Sequence, residues 1–185
     1  MHAKAINPQI EYLKPQQLEA MNHIVNGRNT CLRLPTGFGK TIVFVVPFMV
    51  MPRIVVLCVP LVALLNDMFA KLRKAVRILN LRTTPFSQAI INSITNELNR
   101  KNSVFVITTP ERMLSDKIFR GLLRRNDIPP VVFIFDEAHT IATWGVEFRP
   151  KQLEARDVVI REPPPQLIVA SATLSSDDME FIEKT

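Results

Sequence analysis

At 185 residues, with 47% hydrophobic and 22% charged side chains, the chain is long enough for one well-buried domain and is not the composition of a disordered or fibrous protein. Its formal charge of +6 is unevenly spread: 18 Lys+Arg face 7 Asp+Glu through residue 130 (+11), and 5 face 10 from residue 131 on (−5). The opening residues lack a signal-peptide core, and Pro47 and Pro52-Arg53 cut the apolar stretch from Thr41 to Leu65 too short for a bilayer span, so a buried core and no membrane partner are predicted. The basic majority suits a polyanion such as nucleic acid, or simply a solvated surface. Cys31 and Cys58 both fall in apolar strand candidates and predict reduced core residues in an intracellular protein.

The first predicted helix opens at Tyr12-Leu13-Lys14-Pro15-Gln16-Gln17, with Pro15 suited to a first turn and Leu18, Met21, Ile24 and Val25 marking an apolar face. A glutamine there has an amide that pairs donor and acceptor, which suits the edge of an adenine as well as it suits solvent. Thr30 to Leu34 reads as a strand. After it, Leu34-Pro35-Thr36-Gly37-Phe38-Gly39-Lys40-Thr41 places two glycines, a lysine and a hydroxyl between a strand and an apolar helix over about Thr41 to Met51. Glycines let backbone N–H groups converge on phosphate oxygens at the positive end of a helix, a lysine reaches β/γ-phosphates, and a threonine hydroxyl binds Mg²⁺. Leu34 stands where the strict pattern has its first glycine.

Ile54 to Val59 is an all-apolar strand, of the kind covered on both faces in a parallel sheet. A long helix is predicted from Leu61 to about Leu79, its spacing gathering Lys71, Arg73, Lys74 and Arg77 on neighbouring rows, as either a solvated face or a contact with a phosphate backbone. A polar helix from about Ser87 to Arg100 precedes the strand Val104 to Thr108. Thr109-Pro110-Glu111-Arg112 then starts a helix, where Arg112 has two readings, a phosphate contact or a pair with a neighbouring carboxylate. A basic helix spans Met113 to Arg125. Val131 to Phe135 is the strongest strand, ending at Asp136-Glu137-Ala138-His139. A helix over Lys151 to Ile160, a strand Leu167 to Ala170 leaving through Ser171-Ala172-Thr173, and a helix Ser175 to Lys184 complete the chain.

Strands alternating with helices at this spacing predict an α/β fold, a mostly parallel sheet flanked by helices on both faces. Ligands of such sheets gather at the carboxyl ends of strands, and all four polar clusters lie there. Phosphoryl transfer to water needs phosphate charge neutralised, a metal held, and a nucleophile oriented. Lys40 supplies the first, Thr41 with Asp136 the second, and Glu137 is placed to polarise water. An Asp-Glu pair ending a strand also serves as a helix cap. His139 and the Ser171 and Thr173 hydroxyls are candidates for transmitting nucleotide state, or for structural hydrogen bonds.

Taken together, these motifs resemble the first RecA-like lobe of a superfamily 2 helicase, specifically of the RecQ family, over nearly the whole chain. Leu13 to Gln17 resembles the glutamine motif, with Gln17 at the adenine-reading position and Lys14 where the family has arginine. Leu34 to Thr41 resembles motif I, which in this superfamily commonly lacks the first glycine; Thr36, Gly37, Phe38, Gly39, Lys40 and Thr41 would hold the nucleotide. Pro60 to Asp67 resembles motif Ia, Thr109 to Arg112 motif Ib, Asp136 to His139 motif II, and Ser171 to Thr173 motif III. Trp144-Gly145-Val146-Glu147-Phe148-Arg149-Pro150 is similar to the aromatic-rich loop by which RecQ enzymes couple DNA binding to ATP hydrolysis. An aromatic beside a guanidinium stacks on a base and neutralises a phosphate, so Trp144, Phe148 and Arg149 join Arg112 as candidate DNA contacts. Val146, Gln152 and Ile10 depart from the histidine, tyrosine and aromatic usual in the family. The resemblance implies ATP and Mg²⁺ as cofactors, single-stranded and duplex DNA as partners, a second RecA-like lobe in cis, residues 1–185 as a single lobe, and a nuclear or cytoplasmic setting. Rival readings are a DEAD/DEAH-type RNA helicase lobe, a catalytically silent nucleic-acid-binding module and, with no use for the aromatic loop, a small-molecule kinase.

Overall fold

Apolar strands and amphipathic helices alternate through the computed structural model, which describes residues 2–35, 37–125, 127–129, 131–137 and 165–173. In chain order these are α1 (His2–Ile6), α2 (Pro15–Val25), β1 (Thr30–Arg33), α3 (Lys40–Val45) with a 3-10 turn (Val46–Met49), β2 (Ile54–Cys58), α4 (Val62–Leu72) and β3 (Ile78–Asn80). There follow α5 (Gln88–Asn99), β4 (Val104–Thr108), α6 (Pro110–Ser115), α7 (Lys117–Leu123), β5 (Val132–Phe135) and β6 (Gln166–Ser171). The strands form one sheet in the order β1-β6-β5-β2-β4-β3, every neighbouring pair parallel. This is the RecA-like α/β architecture expected.

Side chains alternate across a strand, so each face of the sheet buries its own set. Val55, Leu57, Val132, Ile134 and Ile168 pack with Met21 and Ile24 of α2, Phe44 of α3 and Leu65 and Leu72 of α4. On the other face Ile54, Val56, Val104, Val106 and Phe133 pack with Ile91 and Ile94 of α5 and Phe119 and Leu122 of α7. Each large side chain so buried contributes about 1.5–3 kcal/mol. β2 and β4 are buried at all five positions, the consequence of lying between covered faces.

Four expectations are corrected. The helix predicted to run from Leu61 to Leu79 stops at Leu72. Beyond it Ile78 and Asn80 alternate inward and pair with β4, forming the edge strand β3, so Lys71, Arg73, Lys74 and Arg77 do not share helical rows. The helix Met113 to Arg125 is two helices, because Asp116 leaves the helical conformation and its carboxylate accepts the Phe119 N–H at 3.0 Å to start α7. The buried stripe of α2 is Gln17, Ala20, Met21 and Ile24, while Leu18 and Val25 are half-exposed. Cys31 sits exposed on the edge strand β1; Cys58 is buried as expected. The loop Trp144 to Pro150, the helices over 151–160 and 175–184, and Thr36, Ala138 and His139 lie outside the described residues. Among the described residues no helix is long and apolar enough to cross a membrane.

Candidate functional site

Because the six described strands are all parallel, their carboxyl ends share one edge, and register brings the sequence clusters together there. The main chain stitches them: Leu34 N–H donates to the Ser171 carbonyl (3.2 Å), Asp136 N–H to Cys58 (3.1 Å), and Val59 N–H to Thr108 (2.9 Å). The start of the phosphate loop is thereby held by the end of β6, and the Asp-Glu pair by the end of β2.

Across the intervening strand β6, the Lys40 ammonium reaches the Glu137 carboxylate: Nζ to Oε1 is 3.1 Å, with both side chains mostly buried. Lys40 opens α3, and Thr41 follows in the same first turn. Asp136 is buried at the end of β5 and accepts the Glu137 N–H at 3.0 Å, while Glu137 adopts φ +53°, a left-handed conformation uncommon outside glycine. Non-glycine strain of this kind is retained only where the surroundings fix it, and the ion pair to Lys40 is one such constraint.

Gly39 meets two demands at once. Its φ of +88° is disfavoured for other residues, and a β-carbon there would lie 2.7 Å from Gln17 Nε2. That closeness is real contact between α2 and the loop. Gln17 Nε2 donates to the Phe38 carbonyl at 2.8 Å, Gln17 Oε1 accepts the Lys14 N–H at 2.9 Å, and the Lys14 ammonium lies 4.0 Å from the Phe38 ring centroid. The amide expected on a base edge is thus engaged at both ends by main chain, which explains how a glutamine occupies the buried stripe of α2. The sequence placed Lys14 and Gln17 near the nucleotide but not on Phe38; contact between segments more than twenty residues apart has no local signal.

At β6, Ser171 is buried and its Oγ accepts the Thr173 N–H at 3.2 Å; the Thr173 side chain faces out. Thr109 caps α6 through the Arg112 N–H. Of the two readings of Arg112, the structure shows the carboxylate partner: Nη2 lies 3.7 Å from Asp116, and Nε donates to the Leu81 carbonyl at 3.3 Å, with the side chain still partly exposed. Beneath the edge, burial pushes the Cys58 thiol far up from its ordinary pKa, with the Glu111 carboxylate adding to the shift, so it stays protonated.

The Thr41 hydroxyl and the Asp136 carboxylate are oxygen donors of the kind a hard divalent cation takes. Among the described residues no three His, Cys, Asp or Glu side chains converge on a metal position. Magnesium is characteristically held by one or two protein oxygens with phosphates and waters completing its shell, and Thr41 and Asp136 supply such oxygens.

A sequence model of the DEAD/DEAH box helicase family matches residues 14–182. Among curated proteins, the chain is 29% identical over 168 residues to the ATP-dependent DNA helicase RecQ of Bacillus subtilis (90% of this chain, 28% of that protein). It is 25% identical over 176 residues to the probable ATP-dependent DNA helicase RecS of the same organism (91% and 33%). Against the ATP-dependent DNA helicase Q1 of Rattus norvegicus it is 25% identical over 182 residues (95% and 29%). The chain therefore spans about a third or less of the length of these relatives.

Proposed function

Because the chain belongs to the DEAD/DEAH box helicase family, we propose that it is the ATP-binding lobe of a RecQ-like, 3′-to-5′ DNA helicase that couples ATP hydrolysis to movement along single-stranded DNA and unwinding of duplex. The observation that carries this reading is the 3.1 Å approach of Lys40 to Glu137 at the carboxyl edge of the sheet. It supports the reading by bringing together the ammonium assigned to phosphate and the carboxylate assigned to water, with Asp136 next in sequence. The DNA preference follows relatives named as DNA helicases; the direction of travel follows the resemblance to RecQ enzymes.

In this reading Lys40 exchanges Glu137 for the β/γ-phosphates, and Glu137, so released, orients the attacking water. Thr41 and Asp136 would hold Mg²⁺, which would neutralise charge on the phosphates. Lys14 and Gln17 bind at the adenine while staying tied to the loop through Phe38, so base and phosphate recognition are mechanically joined. Ser171 and Thr173 carry the loop's state along β6, His139 extends motif II, and Arg112, Trp144, Phe148 and Arg149 contact DNA. A second RecA-like lobe in cis supplies the arginine that stabilises transition-state charge, a contribution of about 10³ to 10⁵ in rate.

The test uses the 185-residue chain with a fluorescent ATP analogue and Mg²⁺. Saturable binding is expected, weakened by about a hundredfold or more in Lys40→Ala, equivalent to about 3 kcal/mol, together with slow turnover in the presence of single-stranded DNA. Absence of binding, equal binding by Lys40→Ala, or rapid DNA-stimulated turnover by this chain alone would overturn the reading. Stimulation of a protein containing both lobes by RNA and not by DNA would move it to the RNA-helicase groups.

A further inference from the structure

The amino-terminal edge of the sheet, opposite the nucleotide site, carries a second concentration of charge that the proposed chemistry does not use. Helices in this topology run back against the strands, so the ends of α4 and α5 and the starts of β2, β3 and β4 meet there. Lys71, Arg73, Lys74 and Arg77 lie in seven residues of chain, all exposed. Main-chain bonds fix their neighbours: Phe105 N–H donates to the Arg77 carbonyl at 2.9 Å and Val104 N–H to the Arg53 carbonyl at 2.9 Å. Arg77 and Arg53 therefore flank the start of β4 on its two sides, within about 10 Å of each other at ordinary strand spacing. Lys101, in the turn three residues before β4, has φ +62°.

Among the described residues, the carboxylates of Glu97 and Asp127 stand at this edge, and each is matched: Glu97 lies 3.6 Å from Arg100, and Asp127 pairs with Arg125. Arg53, Lys71, Arg73, Lys74, Arg77 and Lys101 have no ion pair with any described residue. Complementing helix dipoles accounts for Lys71 and Arg73, in the last turn and at the cap of α4. It does not account for Lys74, Arg77, Lys101 or Arg53, which lie outside helices. The described residues of this edge also include no exposed aromatic platform. Among the described residues the exposed aromatic is Tyr12, which precedes α2 at the other edge. Single strands are held by stacking bases on aromatics along a basic groove, whereas a sequence-independent hold on duplex needs only cations against its phosphates.

We propose that this edge is a binding surface for the phosphate backbone of double-stranded nucleic acid, separate from the nucleotide site by the length of a strand, about 17 Å. It is sequence-independent and salt-sensitive, and it gives the protein a hold on duplex that does not pass through the ATP-dependent contacts.

The experiment measures binding of the 185-residue chain to a short fluorescein-labelled DNA duplex by anisotropy, from about 50 to about 200 mM salt. The edge variant combines Lys71→Gln, Arg73→Gln, Lys74→Gln and Arg77→Gln. A control variant removes the same charge elsewhere through Lys4→Gln, Arg33→Gln, Arg82→Gln and Lys117→Gln, all at exposed positions. Both replace exposed side chains, and a thermal melt of each establishes that it is folded. The edge variant should bind duplex at least about tenfold more weakly, and its log–log salt slope should become shallower by about 3 to 4, at about 0.9 for each phosphate no longer neutralised. The control should keep most of its slope. Equal weakening in both variants, meaning diffuse charge, would overturn the proposal. So would an unchanged edge variant, or weakening confined to the single strand of the same sequence. Duplex binding is measured without nucleotide, which keeps this result independent of the nucleotide reading.

Discussion

At the carboxyl edge of the sheet the lysine of the phosphate loop is already matched to a carboxylate, Lys40 to Glu137, inside a mostly buried contact. At the amino edge Lys74 and Arg77 stand exposed with no ion pair to a described acid. The same strands thus connect a charge-balanced, desolvated site, suited to discriminating one small polyanion, with an open cationic rim suited to gripping a long one. Interaction energy differs accordingly: a buried pair is strong and specific because water is excluded, while exposed cations act collectively and are screened by salt.

The largest effects should separate the two edges cleanly. Lys40→Ala is expected to lose about a hundredfold in nucleotide affinity and none in duplex affinity; the four-glutamine edge variant should do the reverse. Titrating both ligands against both variants tests this, and one variant weakening both ligands would merge the two surfaces into one.

Next come the loop glycines. Gly37→Ala places a β-carbon in open space and costs only the backbone strain of φ +78°, about 1 kcal/mol. Gly39→Ala adds displacement of Gln17 from Phe38, another hydrogen bond worth about 1 kcal/mol. Thermal melts should therefore fall by about 2–4 °C for the first and about 4–8 °C for the second. Equal shifts would mean that the Gln17 contact contributes nothing.

Alkaline pH probes the burial beneath the carboxyl edge. The Cys58 thiol is held protonated by burial in the folded chain, whereas the unfolded thiol ionises above about pH 8.5. Its contribution is therefore full below that pH and declines above it, by up to about 1.4 kcal/mol per unit. Denaturant unfolding between pH 8 and 10 should show this slope in the parent chain and a shallower one in Cys58→Ala. Identical slopes would place Cys58 in contact with solvent. Smallest is Phe38→Leu, which removes the ring under Lys14 and should lower stability by about 0.5–1 kcal/mol, read from the same denaturant curves at neutral pH.

Much of the carboxyl edge was legible because its determinants are local. A loop with two glycines and a lysine after an apolar strand, and an Asp-Glu pair after another, fix strand ends, and parallel topology does the rest. The amino edge was not, because its key element is the three-residue strand Ile78–Asn80, which continues the apolar and basic rhythm of α4 without a glycine or proline to stop the helix. The available signal was Asn80, whose Oδ1 accepts the Arg82 N–H at 3.0 Å and whose carbonyl accepts those of Thr83 and Thr84, a turn that asparagine favours. Asp116 was a similar missed sign, a helix cap inside what reads as one helix. Gln17 was read as a residue for an adenine edge, whereas its contact with Phe38 depends on how α2 packs, which no spacing rule encodes.

Calorimetry of ATP·Mg²⁺ binding to the parent chain and to Glu137→Gln tests the exchange of Lys40 partners most directly. If Lys40 must leave Glu137 to take up phosphate, neutralising that carboxylate removes the competitor, and Glu137→Gln should bind nucleotide as tightly as the parent chain or more tightly. Abolished binding in Glu137→Gln, at unchanged thermal stability, would show that the pair does not form the phosphate site and would contradict the assignment.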